Sequence, residues 1–240
     1  MEASCKKCAE QTQAFEKAVL LHALRASRRK LKIRGKKRRR NEPTFALTVV
    51  KPDGAESVEW RTLDDHPTVL FLPKFDAPGL LVGRPEWQVP SVDQWALLLG
   101  GILKSDGNFC SPVMDIAAIA QLIAKIAHGF AVWQFGLDGF VPMLIELIRH
   151  DFNSDQPHPD QFHLVGGDLR NFAPHNYRLH TLGWGFFEAQ SKTYVLVAAR
   201  LFSYLGGPIY YAITGYFTEE QLAKARAVSK THAEASNAAR

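Results

Sequence analysis

A stretch of apolar residues near the middle of the chain restricts the fold more than any other feature. Ile116, Ile119, Ile123, Ile126, Phe130 and Trp133 recur in steps of three and four, which marks one stripe along an α-helix. The pattern predicts a helix over 114–135, with Pro112 and Asp115 suited to its first turn and Gly136 and Gly139 ending it. A second, shorter helix is expected over 140–148. Asp115, Lys125, His128, Asp138 and Glu146 interrupt the wider apolar stretch at intervals too short for a bilayer span. The stretch therefore reads as a buried core helix, and no membrane partner is expected.

The flanking sequence supplies strands to cover such a helix. Residues 45–50 and 57–63 flank Pro52-Asp53-Gly54 and predict a β-hairpin. A short strand is expected over 68–72, a loop over 76–90 with its prolines and glycines, and either strand or helix over 94–99. After the polar loop 151–159, residues 162–165, 177–181, 193–202 and 209–215 read as strands rich in aromatic and β-branched residues. Gly166-Gly167-Asp168 and Gly206-Gly207-Pro208 read as turns, and neither carries a nucleotide-cradling glycine pattern. A helix over 3–31 is expected from Phe15, Val19, Leu21 or His22, and Leu24, and a polar, alanine-rich helix from Thr218 onward. The expected class is α+β: an N-terminal helix with a basic arm, then mixed β-strands packed on a central apolar helix. The division is 1–42, 43–217 and a C-terminal tail, 218–240.

Charge is distributed very unevenly. Arg25, Arg28, Arg29, Lys30, Lys32, Arg34, Lys36, Lys37, Arg38, Arg39 and Arg40 are eleven cations with no acid among them, in a chain whose net charge is +5. The rest of the protein is therefore acidic on balance, and a polyanion would meet it at this arm. Many Arg and Lys donors on an extendable segment suit the phosphate backbone of a nucleic acid, DNA above all, through counterion release. No aromatic residue lies between Ala18 and Thr44, which favours backbone tracking over base stacking within the arm. The plainer alternative is a solvated charge run or a localisation-like signal.

Three cysteines, Cys5, Cys8 and Cys110, do not make the even framework of a disulfide-built secreted domain. The first residues lack the apolar core of a secretory signal, so a cytoplasmic location is expected. Cys5-Lys6-Lys7-Cys8 has the spacing by which two thiolates grip one Zn²⁺. Structural zinc takes four ligands, so the pair is half a site; otherwise it is two reduced thiols.

Residues 2–16, with Cys5 and Cys8 followed directly by a predicted helix, resemble the second half of the zinc module of cysteine-rich HNH endonucleases. Segments such as Lys125-Ile126-Ala127-His128 and Arg200-Leu201-Phe202 resemble the C-terminal extension of bacterial HNH-like proteins. The resemblance implies zinc as cofactor, held by Cys5, Cys8 and a further pair, and a histidine that activates water beside a divalent ion. The family's first cysteine pair and that histidine would precede Met1, and Ala9 stands where the family often has asparagine. The chain is therefore expected to be a truncated or degenerate HNH-type homologue, nucleic-acid-binding and inactive as it stands. It would be an endonuclease only if an upstream segment or a partner chain supplied the catalytic histidine. The rival reading is a non-enzymatic interaction or ligand-binding module that the basic arm merely localises.

Two further groups carry titratable side chains. His150, His158, His163, His175 and His180 lie in and after the polar loop without metal-helix spacing. Gln121, Lys125 and His128 share one helix face, expected to be the wet side of an amphipathic helix, with Lys125 and His128 as a pocket pair if the helix is buried there.

Overall fold

The computed structural model describes residues 6–23, 25–32, 44–66, 69–84, 94–98, 108–109, 115–151, 160–168, 170 and 178–226; at 6–8, 11, 21–23, 94–98, 108–109 and 160 it describes the backbone alone. The N-terminal helical run changes pitch along its length. Helix α1 (Lys6–Lys17) widens into a π-helical segment, Ala18–Ala23, and is followed by the short α2 (Arg25–Lys30). Phe15 and Val19 of this run are buried in the main core.

The predicted hairpin forms from β1 (Phe45–Val50) and β2 (Glu56–Arg61), paired antiparallel, with β5 (Asn108–Phe109) on the far side of β1. β3 (Val69–Pro73) pairs with β4 (Gln94–Leu98), so residues 94–98 are strand. The central helix α3 (Ile116–Phe135) starts where the Asp115 carboxylate accepts the Ala118 N–H at 2.9 Å, and it ends at Gly136, whose φ of +84° L side chains rarely adopt.

After α3 come β6 (Val141–Pro142) and α4 (Ile145–Arg149), so the second helix is shorter than expected. Asp160–Leu164 is a 3₁₀ turn leading into β7 (Val165–Gly167). β8 (His180–Ala189), β9 (Lys192–Leu201) and β10 (Ile209–Phe217) make the main antiparallel sheet, in the order β6-β10-β9-β8, with β7 also on β10. Residues 219–226 are helical.

The class is α+β, as expected, with α3 laid across the main sheet. Which side of α3 does the packing differs from the sequence pattern. Ile119 and Ile123 of the stripe are buried, and Ala120, Ala124, Ala127 and Ala131 share that centre, each 1 % exposed or less, whereas Ile126 and Phe130 at the far end of the stripe are only partly buried and Trp133 is 64 % exposed. The reason is geometric. Six apolar residues spaced 3.4 apart on average drift around a 3.6-residue helix by about 20° a step, roughly 100° over the stripe. Small alanines let α3 approach the sheet, where Val195, Val197 and Ala212 are fully buried.

Enlarging this face should therefore hurt. Ala124→Ile is expected to destabilise the fold by about 1–3 kcal/mol through overpacking, while Trp133→Ala stays within about 0.5 kcal/mol. Urea denaturation of the two variants checks it, and the reverse order would return the core to the isoleucine stripe.

Gly166-Gly167 is not a turn but strand. A Cβ at Gly166 would sit 2.3 Å from the Asp76 carbonyl oxygen, and the Gly167 N–H donates to that same oxygen at 2.8 Å. The glycines let residues 75–78 run against the edge of β7.

Candidate nucleic-acid interface

Five of the eleven arm cations, Arg25, Arg28, Arg29, Lys30 and Lys32, lie in α2 and the turn that closes it. They divide into two kinds. Ser27 is buried, which seats α2 on the protein. On either side of it, the Arg28 guanidinium donates to the Leu20 carbonyl at 3.3 Å, and Arg25 lies 5.6 Å from the centre of the buried Phe45 ring, a cation–π distance. These two arginines anchor the segment. Arg29, Lys30 and Lys32 are exposed. Lys32 takes φ +55°, and its N–H donates to the Arg29 carbonyl at 2.9 Å, so the helix is closed by a left-handed residue before the remaining cations. Arg34, Lys36, Lys37, Arg38, Arg39 and Arg40 lie outside the described residues.

Cys5 also lies outside the described residues, and Cys8 falls in the backbone of α1, one turn before Thr12. Among the described residues no three of His, Cys, Asp and Glu gather where an ion would be held. Cys5 and Cys8 would supply two of the four ligands that structural zinc takes. Of the loop histidines, His158 and His175 lie outside the described residues, while His150 follows α4, His163 is in the 3₁₀ turn and His180 opens β8.

The face of α3 bearing Gln121, Lys125 and His128 is not a wet side. Gln121 is 3 % exposed, and its amide donates to the carbonyls of Leu147 at 3.0 Å and His150 at 2.7 Å, tying α3 to α4. The Lys125 ammonium reaches back to α1, where it pairs with the Glu16 carboxylate and donates to the Thr12 hydroxyl at 2.8 Å. Lys125 is thus spoken for by the helix that carries Cys8 and leads into α2. It ties α3 to α1. Glu16 lies 109 residues from its partner, and no local pattern could have joined the two.

His128 packs edge-on against Phe140 with ring centres 5.9 Å apart, and its buried Nδ1 has no hydrogen-bond partner. Burial, with the Arg149 charge second, holds this imidazole below its ordinary value of 6.5. Burial lowers His180 too, and there Nδ1 accepts the Phe202 N–H at 3.1 Å. Both rings are retained neutral in the fold. Their contribution is complete above pH 6.5, the unfolded value, and is lost as pH falls through the lower folded values. The urea midpoint is expected to drop between about pH 7 and about pH 5, and to drop less in His128→Phe; an equal drop in both proteins would remove His128 from the account.

Two features that sequence reasoning missed complete the inventory. Asp168 accepts from the Arg170 guanidinium at 2.6 Å and from the Tyr211 hydroxyl at 3.4 Å, and the Arg170 hydrogen bond leads in holding its carboxyl below the usual range. A hollow of about 450 Å³ beside the β8–β9 turn is lined, among the described residues, by residues 188–193, the two strand ends and the turn between them. No protein-family model, curated protein or solved structure matches the chain.

Proposed function

We propose that this protein binds nucleic acid through the phosphate backbone, with the segment beginning at α2 as the contact. One observation carries the reading: eleven cations within residues 25–40 without an acid, whose first residues are seated on the body by Ser27, Arg28 and Arg25 while Arg29, Lys30 and Lys32 face solvent. Anchoring one end of a polycation limits the freedom it loses on binding, which favours affinity.

The likeness of residues 2–16 to the second half of an HNH zinc module supports the same partner. In that reading Cys5 and Cys8 supply two zinc ligands, the other two come from outside this pair, and no catalytic residue is assigned to the chain. The rival reading, an interaction module, draws on the exposed Trp133 and Leu137 at the end of α3.

Fluorescence anisotropy of a labelled DNA duplex against rising salt tests the main reading. Affinity should fall steeply and linearly on logarithmic axes, by about 0.9 for each phosphate neutralised. An affinity that is flat from low to moderate salt refutes backbone contact. Metal analysis of the full chain beside Cys5→Ser with Cys8→Ser tests the zinc half independently: zinc retained by the double variant, or missing from the parent, removes it.

A further inference from the structure

The main sheet ends differently on its two sides. On one side the outer positions are held by β6 and β7, two and three residues long, and β6 carries Pro142, which are ways in which an edge is closed to further pairing. The outer strand of the hairpin sheet, β2, is blunted by Glu56, Glu59 and Arg61. β8 has no such protection. It is ten residues long, holds no lysine, arginine or proline, pairs with β9 without a break, and among the described residues has no strand on its other side. Gly183 is exposed, Leu182 is 43 % exposed, and a Cβ added at Gly183 or Gly185 would meet nothing within 4 Å. The backbone N–H and C=O groups along this edge fit one kind of occupant, another extended strand.

The side chains of β8 identify which strand. Alternation puts His180, Leu182, Trp184, Phe186 and Glu188 on one face, and the contacts of Trp184 and Phe186 with the Phe135 ring make it the face toward α3. Two antiparallel copies of one strand keep like faces together only when their two-fold axis passes at a residue position. An axis at Trp184 sets His180 against Glu188 of the second copy at both ends, Leu182 against Phe186, and Gly183 against Gly185. Shifting the axis to Gly183 sets His180 against Phe186, and shifting it to Gly185 sets Glu188 against Leu182. Only the first register is complementary throughout. His180 Nδ1 accepts the Phe202 N–H at 3.1 Å, so the neutral ring carries its proton on Nε2, where it can donate to a carboxylate. Lys192, the cation nearest Glu188 in the chain, lies on the other face, 4.0 Å from the centre of the Tyr216 ring.

We propose that the protein forms a closed dimer in which β8 pairs antiparallel with β8 of a second copy about a two-fold axis at Trp184, joining the two main sheets into one. Because the β6 side of each sheet is closed, pairing stops at two. The dimer goes beyond the nucleic-acid reading and does not depend on it.

Sedimentation equilibrium of the full chain, without nucleic acid, tests this. The parent should dimerise, and Leu182→Lys, which places a lysine on the edge against Phe186 of the second copy, should raise the dimer Kd at least about ten-fold. His180→Asp keeps an acceptor for the Phe202 N–H but opposes Glu188 at both ends, and should also weaken the dimer roughly ten-fold. Adding Glu188→Lys to His180→Asp should bring the Kd back to within about three-fold of the parent, a recovery that a damaged fold would not give. A parent that stays monomeric at ~0.1 mM overturns the proposal and leaves the edge to a different strand. So does a parent that assembles beyond two copies, a dimer unaffected by Leu182→Lys, or a double variant that shows no recovery.

Discussion

Replacing Arg29, Lys30 and Lys32 together by glutamine is expected to weaken binding to a DNA duplex at least about ten-fold near physiological salt, and to reduce the salt slope by about 2.7. The magnitude follows from three phosphate contacts at about 0.9 each. The three side chains are exposed in the free protein, so their loss should leave the unfolding midpoint unchanged within about 0.5 kcal/mol. Glutamine is preferred to glutamate because a new negative charge at the C-terminal end of α2 would oppose the helix dipole and confuse stability with binding. Arg25 and Arg28 provide the contrast. Each already makes a contact within the fold, with the Phe45 ring and the Leu20 carbonyl, so removing them should loosen the seat of α2 as well as the grip. Anisotropy titrations at several salt concentrations distinguish the cases, and an unaltered slope in the triple variant would show that these three cations do not meet phosphate.

Position along the chain was legible where a residue's requirement is local. Gly136 ends α3 as expected, while Asp115, expected inside the first turn, instead caps a helix that starts at Ile116, because helix ends demand such partners for their own backbone groups. The hairpin of β1 and β2 was legible for the same reason, from the turn residues between two alternating runs. The cationic segment needed only counting.

What escaped was decided at a distance. Gly183 and Gly185 weaken the strand signal of residues 180–189, yet these pair with β9 over their whole length, because burial and partner pairing override local preference. Gly166-Gly167 looks like a turn until residues 75–78 are brought beside it. The apolar stripe of α3 maps the core at Ile119 and Ile123 and leaves it by Trp133, since its shorter period drifts off the face that four alanines bury. Lys125 reads from sequence as the wet side of a helix because its counter-charge, Glu16, is 109 residues away.

Tyr210→Ala is expected to cost about 3–5 kcal/mol in equilibrium unfolding, the largest stability effect of the substitutions considered. Tyr210 is completely buried in β10, its ring tilts against Phe75 at 5.3 Å, and its hydroxyl donates to the Pro73 carbonyl at 2.7 Å. That bond spans 137 residues and joins the end of β3 to the main sheet, just before residues 75–78 pass along β7. Burial pushes the phenol well above its ordinary pKa of 10.0, so it remains a donor throughout the neutral range. Two losses combine in the alanine variant: the cavity left by a large ring, and a carbonyl stripped of its donor inside the core. Tyr210→Phe separates them. It keeps the ring and forfeits only the hydrogen bond, for about 1–3 kcal/mol, and urea titrations of the two variants should differ by the packing contribution. A phenylalanine variant as unstable as the alanine one would place the whole effect in the hydroxyl, making the tie between β3 and the sheet polar in origin and the ring a passenger.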